Sequence, residues 1–184
     1  IIYGETRVGG IIVFKDITTN DKFLHIVIAI AGHEINDVTK VFFDDEELGF
    51  LQTKTEGLNE VQTPEQYQGK AEVSRRLGTT TQLAHSELLA QSPNWTGAHR
   101  LQGVAYLYVR LEFDADAFPN GEPQISCVAQ GKKLFNPATG TTAYSTNPAL
   151  ALRDYLTSDY GLGCSADEID DTTFIAAAAV CDET

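Results

Sequence analysis

The most regular pattern in the chain is Val104 to Phe113, VAYLYVRLEF, where apolar and mixed positions alternate with a period of two. Ala105, Leu107, Val109, Leu111 and Phe113 share one side, and Val104, Tyr106, Tyr108, Arg110 and Glu112 the other. That alternation predicts an antiparallel strand with one core face and one mixed face. After the turn signal Pro119-Asn120-Gly121, the segment Gln124 to Gln130 (QISCVAQ) is expected to return as its partner. Lys132 to Gly140 reads as a loop built around Asn136-Pro137 and Gly140.

A second apolar pattern opens the chain. Ile11 to Phe14 follows Gly9-Gly10, and Lys22 to Ala31 (KFLHIVIAIA) follows the turn residues Asn20-Asp21, which predicts a hairpin. Both alternating faces of the second run are apolar: Leu24, Ile26, Ile28 and Ile30 on one side, Phe23, Val27, Ala29 and Ala31 on the other. A strand of this kind is covered on both faces, by its own domain or by a neighbouring subunit. Phe23, Val27, Ala29 and Ala31 are therefore the candidate subunit interface. Val38 to Phe43 (VTKVFF) is a third strand, closed by the acidic turn Asp44-Asp45-Glu46-Glu47.

From Leu48 to Arg100 the pattern weakens. Gln52 to Gly69 is polar, and only Lys70 to Leu77 and Ala84 to Gln91 suggest a short strand and a short helix. Residues 48–102 read as an insertion or excursion from a β-rich core made of residues 1–47 and 103–140. Residues 141–184 form a C-terminal helical segment.

That last segment is punctuated at both ends. Asn147 is placed to cap a helix and Pro148 to occupy its first position, where a missing N–H costs nothing. Leu152, Leu156 and Tyr160 fall at i, i+4 and i+8, with Ala149 and Tyr155 widening the apolar side, while Arg153, Thr157 and Ser158 are expected to face water. Gly161 is expected to take the left-handed conformation after the last turn and to place Leu162 against Leu156; Gly163 then lets the chain bend. A second helix, Thr172 to Val180, enters from Asp170-Asp171 and carries Phe174, Ile175 and a run of Ala. The fold class that follows is α+β: an antiparallel β-rich core, barrel or sandwich, with a C-terminal helix pair.

Charge and composition narrow the function. Among 184 residues, 26 acidic groups against 13 basic ones give a formal charge of -13, a field that repels phosphate backbones, so nucleic acid is not an expected partner. No apolar run is long enough for a membrane span. The chain starts at Ile1 inside a strand-like pattern and contains no Met, and it reads as a piece of a longer polypeptide. Cys127, Cys164 and Cys181 are widely spaced, without a CxxC pair, and are expected as reduced, buried thiols in a chain assembled in a reducing cytosol.

Candidate chemistry is sparse. Gly32-His33-Glu34-Ile35-Asn36-Asp37 has Asp37 where a zinc protease needs its second His, and it sits between two strands, so a polar loop is expected. The acidic runs Asp44 to Glu47 and Asp167 to Asp171 lack the spacing of a calcium loop. His25, His85 and His99 are scattered, Arg75-Arg76 is expected to be solvated or locally paired, and no nucleophile elbow or phosphate loop is present. No catalytic residue, cofactor or metal is expected.

Three blocks carry a resemblance: Ile2-Tyr3-Gly4-Glu5-Thr6-Arg7-Val8-Gly9-Gly10; Gly32-His33 with the strand after it; and Asn147-Pro148-Ala149 followed by Leu152, Asp154, Leu156, Thr157 and Tyr160-Gly161-Leu162-Gly163. The closing helix, with Ala178 and a Cys181-Asp182 pair, adds a fourth. Together they resemble the hub or tip-attachment proteins of long-tailed bacteriophages, the group that includes the host-specificity protein of phage lambda. The motif positions so identified are Tyr3, Gly4, Arg7, Gly9, Gly10, Asn147, Pro148, Leu152, Leu156, Tyr160, Gly161, Leu162, Gly163, Cys181 and Asp182.

The resemblance implies a structural, non-enzymatic part of a phage or prophage virion at the tail tip, assembled in the bacterial cytoplasm. It also implies a trimer with other copies of itself in the full-length protein, contacts with other tail-tip and tail-tube proteins, and a host receptor reached through regions outside this segment. Two other readings stand beside it. One is a receptor- or glycan-binding module using Tyr67 and Trp95; the other is a metal-dependent peptidase around His33 and Glu34, or a cell-wall hydrolase.

Overall fold

The turn residues near the N-terminus determine how the chain enters its sheets. Strand β1 (Glu5–Val8) runs into Gly9-Gly10, and β2 (Ile11–Thr18) follows in a different sheet. Gly10 sits at that corner with φ +69°, and a Cβ there would lie 2.5 Å from the Ala29 carbonyl oxygen, so only glycine fits. At the far end of β2, Thr19, Asn20 and Asp21 all take positive φ and return the chain as β3 (Phe23–Ala31). Strand β4 (Asp37–Phe43) ends at Asp44 and Asp45, also at positive φ, and pairs with the two-residue β5 (Glu46–Glu47). The expected hairpin turn and the expected acidic turn are thus both made mainly by Asn and Asp residues, which tolerate the left-handed region, with Thr19 beside them.

The computed structural model describes residues 1–50 and 57–183. Strands β6 (Gly49–Phe50), β7 (Asn59–Thr63), β8 (Ala71–Leu77) and β9 (Ala105–Glu112) join β2 and β3 in a six-stranded antiparallel sheet ordered β2-β3-β9-β8-β7-β6. A short helix, α1 (Ser86–Gln91), lies between β8 and β9. Strand β10 (Ile125–Gln130) sits between β1 and β4 in a four-stranded sheet ordered β1-β10-β4-β5. A separate hairpin, β11 (Lys133–Asn136) with β12 (Thr141–Tyr144), leads to helices α2 (Pro148–Thr157) and α3 (Asp171–Asp182). The fold is α+β: a sandwich of antiparallel sheets with a C-terminal helix pair.

The main core lies between the two sheets. Ile26, Ile28, Val73, Leu107, Val109 and Leu111 from the larger sheet meet Val38, Val41, Phe43, Ile125, Cys127 and Ala129 from the smaller. On β4 the pairing shifts between Val128 and Ala129, so that Thr39 bulges out and Val38 and Val41 both point inward despite their odd spacing. Arg75 crosses between the sheets, donating to the Val38 carbonyl at 2.6 Å with its Nε 3.3 Å from Asp37, which is local pairing of the kind its acidic surroundings predict.

Several expectations are corrected. β10 does not pair with β9, because both edges of β9 are already taken by β3 and β8; β10 crosses to the other sheet instead. Lys132 to Gly140 is not a loop alone: it contains β11 and the turn into β12. Phe113 follows the end of β9 and is 80% exposed rather than core-facing.

Residues 48–102 also contribute strands to the larger sheet. Within the described part of that range, β8 pairs along its whole length with β9, deep in the larger sheet, and β7 and β6 extend the sheet outward; residues 51–56 lie outside the described residues. Polar residues in β8 hide this in the sequence, because Ser74 and Arg76 are buried on the second face of the sheet.

Candidate functional site

The second face of the six-stranded sheet carries Val27 of the candidate interface. Segment 79–104 crosses it: Leu88 of α1 and Trp95 pack on Val27, Tyr106 and Tyr108, with Phe14 edge-on to Trp95 at 5.0 Å between ring centres. Val27 is fully buried and Ala31 nearly so within this one chain. Of the candidate interface residues Phe23, Val27, Ala29 and Ala31, the expectation is corrected for Val27 and Ala31, which the chain covers itself, while Phe23 and Ala29 stay partly accessible.

Beneath that cover, β3, β8 and β9 place polar groups that satisfy one another. His25 lies 2.7 Å from the Thr18 hydroxyl and 2.8 Å from the Tyr108 hydroxyl, and His85 bonds to the Ser74 hydroxyl at 2.8 Å. Burial, with the nearby Arg76 charge, pushes His85 down to about 3, and burial also lowers His25. These histidines are neutral core members. Tyr67 (4% exposed) and Trp95 (3%) are core residues as well, which removes both aromatics on which a receptor or glycan contact would rest.

His33 is likewise taken. The Ile2 amide donates to its Nε2 at 2.9 Å, so Nδ1 carries the proton and donates to the Glu34 carbonyl at 2.8 Å. Among the described residues no group of three or more His, Cys, Asp and Glu side chains is arranged to hold a metal ion. Cys127 is buried and its thiol is pushed up to about 12 by that burial, whereas Cys164 and Cys181 are only half-buried. The expectation of three buried thiols holds for Cys127 alone.

Tyr3, Asp154 and Tyr160, from the first and third blocks of the resemblance, meet where the sandwich joins the helix pair. The N-terminal segment is seated against the start of β11: Gly131 donates to the Gly4 carbonyl at 2.7 Å and Lys132 to the Ile2 carbonyl at 2.9 Å. This places Tyr3 beside α2, where its hydroxyl donates to Asp154 Oδ2 at 2.7 Å. Lys132 Nζ donates to both Asp154 oxygens, at 2.8 and 2.9 Å, and to the Tyr160 hydroxyl at 3.0 Å; Tyr160 in turn donates to Asp154. With the Ser158 hydroxyl at 3.3 Å, four donors therefore hold one carboxylate. Burial opposes ionisation of Asp154, but the bonds from Lys132, Tyr160 and Tyr3 outweigh it and hold the carboxyl below the usual range. Tyr3 is raised, first by burial and then by its bonds to Tyr160 and Asp154.

A second knot ties the helices together. Asn147 Oδ1 accepts from Ala149 at 3.0 Å and Leu150 at 3.4 Å, the predicted cap, with Pro148 at the first helical position. Its Nδ2 donates to the Ala178 carbonyl at 2.9 Å and to Asp182 at 2.7 Å, in the last turns of α3. Arg153 forms a two-pronged pair with Asp171 at 2.7 and 3.1 Å and lies over the Phe135 ring. Arg153 is thus turned inward, contrary to the expectation that it faces water. The buried stripe of α2 is Ala149 and Leu150, packed with Leu134 and Ala178, and Cys181 joins that cluster.

The remaining motif positions divide. Leu152 (53% exposed) and Leu162 (67%) face outward, so Leu162 does not pack back on Leu156, and Tyr160 lies beyond the helix end at Thr157. Gly161 is not left-handed; a Cβ there would lie 1.7 Å from the Tyr155 carbonyl oxygen, and that carbonyl accepts from Leu162 at 3.2 Å. The left-handed residue is Gly163, φ +64°, after which Cys164 donates to the Leu156 carbonyl at 2.8 Å. Gly4 takes φ +62°, and Arg7 at the sheet edge pairs with Asp45 at 2.5 Å and Ser126 at 2.9 Å. Lys132, the cation of the joint, carries no local motif by which the sequence would single it out.

No protein-family model matches the chain, and no curated protein matches it. Several chains of solved structures do. One of them belongs to the virion of a native gene transfer agent particle: it is 19% identical, with a TM-score of 0.46, and the match covers 70% of this chain and 25% of that one. The present chain thus spans about a quarter of the length of the structure it matches.

Proposed function

We propose that this chain is a structural part of a phage-derived virion, a portion of a tail-tip hub or attachment protein that serves tail assembly and host attachment and performs no catalysis. The observation that carries the reading is the joint itself. Tyr3 and Asp154, which the motif resemblance places in blocks at opposite ends of the chain, meet at 2.7 Å, and Tyr160 and Lys132 close the same knot. Such a joint holds a helix pair rigidly against a β-sandwich, which suits a component that transmits position to its neighbours. In the full-length protein the neighbours are other copies of the same chain, in a trimer, and other tail-tip and tail-tube proteins, with a receptor reached by portions outside this segment.

Immunogold electron microscopy with antibodies raised against the chain tests this directly. Label confined to the distal tip of the tail is the expected result. Label elsewhere on the particle keeps a structural role and rejects the tail-tip position. Absence of label on intact and tip-disrupted particles, with an antibody that recognises the full-length protein, rejects the virion assignment.

A further inference from the structure

The edges of the sandwich are not protected alike. The smaller sheet ends in β1, four residues long, and β5, two residues long, and short edge strands give another chain little to pair with. The larger sheet ends on one side in β2, eight residues long, and among the described residues no strand pairs with its outer side. It contains no proline, and its two charges are turned to internal partners: Lys15 pairs with Glu122, and Asp16 accepts from Ser92 and Asn94. From Gly9 to Phe14 the edge carries no charge at all. A bulge at Val13 is its remaining guard.

The apolar layer of the sheet also runs out to this edge and stops in the open. Directly opposed residues on adjacent strands share a face. Leu107 on β9, Ile28 on β3 and Ile12 on β2 form one row, and Leu111, Leu24 and Ile17 form another. Leu107, Ile28 and Leu111 are buried, whereas Ile12 is 50% exposed and Ile17 56%. The row between them, Val109, Ile26 and Lys15, ends on the paired lysine. Beside Ile17 the layer leaves a hollow of about 190 Å³, lined also by Leu24, Leu111, Phe113 and Phe118. The opposite face of β2 is closed, because Phe14 lies against Trp95 and Asp16 against Ser92. What is missing at this edge is therefore one more strand, with apolar side chains on the core side only.

We propose that the outer edge of β2 accepts an extended segment of a partner polypeptide as a seventh strand of the larger sheet, with apolar side chains set beside Ile12 and Ile17 and an uncharged polar one beside Lys15. The unpaired amides and carbonyls of β2 supply the affinity, and the hollow beside Ile17 selects the side chain that enters it. The backbone identifies the occupant: a strand covers the free amides and the exposed isoleucines at once, whereas a helix covers only the side chains. A second copy of β2 is disfavoured. Antiparallel pairing about a two-fold axis that covers both isoleucines sets Ile12 against Ile17 of the copy, and so sets Lys15 directly against Lys15. The inference rests on the sheet edge alone and does not depend on the virion reading.

The test titrates the whole chain, isotope-labelled, with a synthetic peptide of about eight residues that alternates Val and Thr, with Gln in place of the central Val. A control peptide of the same sequence carries an N-methyl group on every backbone amide, which removes its donors and keeps its side chains. The expected result is binding of the unmethylated peptide alone, with a Kd of about 1 mM or tighter, amide shifts concentrated on β2 and slowed hydrogen exchange there. Ile12→Lys and Ile17→Lys, both at exposed positions and each checked for an unchanged melting curve, should weaken it by at least about tenfold. No binding, shifts confined to other elements, equal binding of the methylated peptide, or indifference to both lysine variants would overturn the proposal. So would concentration-dependent self-association, seen by sedimentation and abolished by Ile12→Lys, because that result would give the edge to a second copy.

Discussion

Asn147 Nδ2 donates to Asp182 Oδ1 at 2.7 Å across 35 residues of chain, while the Oδ1 of the same Asn147 caps the start of α2. One buried amide therefore closes the N-terminus of one helix and the C-terminus of the next, so that neither end is free to fray independently. The two jobs use different atoms, and substitutions separate them. Asn147→Ala should cost about 1–2 kcal/mol, the value of a helix cap. Asn147→Asp keeps the capping oxygen but sets a carboxylate against Asp182 and the Ala178 carbonyl. Hydrogen exchange in that variant should accelerate in the last turn of α3 and stay slow at Ala149 and Leu150; equal acceleration at both ends would show that the two helices are not separately tied.

Gly161 and Gly163 have different reasons to be glycine. At Gly161 an added Cβ would fall on the Tyr155 carbonyl, so Gly161→Ala should destabilise the chain by about 1–3 kcal/mol, as forced crowding does. At Gly163 the space is open and only the positive φ resists a side chain, so Gly163→Ala should cost about 1 kcal/mol or less. Denaturant melts of the two variants, compared at equal m-value, check the order; a larger loss at Gly163 would contradict the close approach at Gly161.

The joint at Asp154 sets an acid-side limit. Its carboxyl titrates below the ordinary range when folded, so the unfolded chain binds more protons as pH falls. The stabilisation is complete above the ordinary carboxylate range and drains away as pH falls through the lowered folded value. Asp154→Asn should remove about 1–3 kcal/mol at neutral pH, the usual worth of hydrogen bonds to a charged group, and the difference from the parent chain should shrink at low pH. Urea melts at pH 7 and at successively lower values measure this.

His85 acts in a higher window. Its folded value of about 3 lies far below the ordinary histidine value of 6.5, so between those limits the unfolded chain takes up a proton that the folded chain refuses. Stability should therefore fall with decreasing pH from about 6.5 downward, by at most about 1.4 kcal/mol per pH unit from this group. His85→Asn, which keeps an acceptor for the Leu88 amide, should reduce that slope. An unchanged slope would mean that His85 is protonated in the folded state.

Trp95 measures whether segment 79–104 belongs to the core. Trp95→Ala should cost about 3–5 kcal/mol, as removal of a buried large aromatic does. Trp95→Phe should cost much less, because Trp95 Nε1 is buried without a hydrogen-bond partner and its loss breaks no bond. Thermal melts of the two variants suffice; a negligible effect of Trp95→Ala would return this segment to the status of a dispensable excursion.

What the amino-acid order determined by itself was local. The Asn and Asp turns after β2 and β4, the period-two strand at Val104 to Phe113, and the Asn147-Pro148 helix start are short-range chemistry, and each appears where the sequence places it. Tertiary structure decided the partners. QISCVAQ carries a sound strand pattern, but nothing within it states that both edges of β9 are occupied and that it must join β1 and β4. The strand at Ala71 to Leu77 gives a weak pattern because Arg75 interrupts the apolar positions Ala71, Val73 and Leu77, and because its other face carries the polar Ser74 and Arg76, yet segment 79–104 buries both of these. Gly161 reads in the sequence as a left-handed helix stop, but the helix ends at Thr157 and the reason for this glycine, the Tyr155 carbonyl, is a distance that local preference does not contain. Lys132 was invisible for the same reason: a single lysine acquires its role only when Tyr3, Asp154 and Tyr160 arrive from two ends of the chain. Backbone preference acts over a few neighbouring residues, whereas strand pairing, burial and charge pairing depend on which distant surfaces meet.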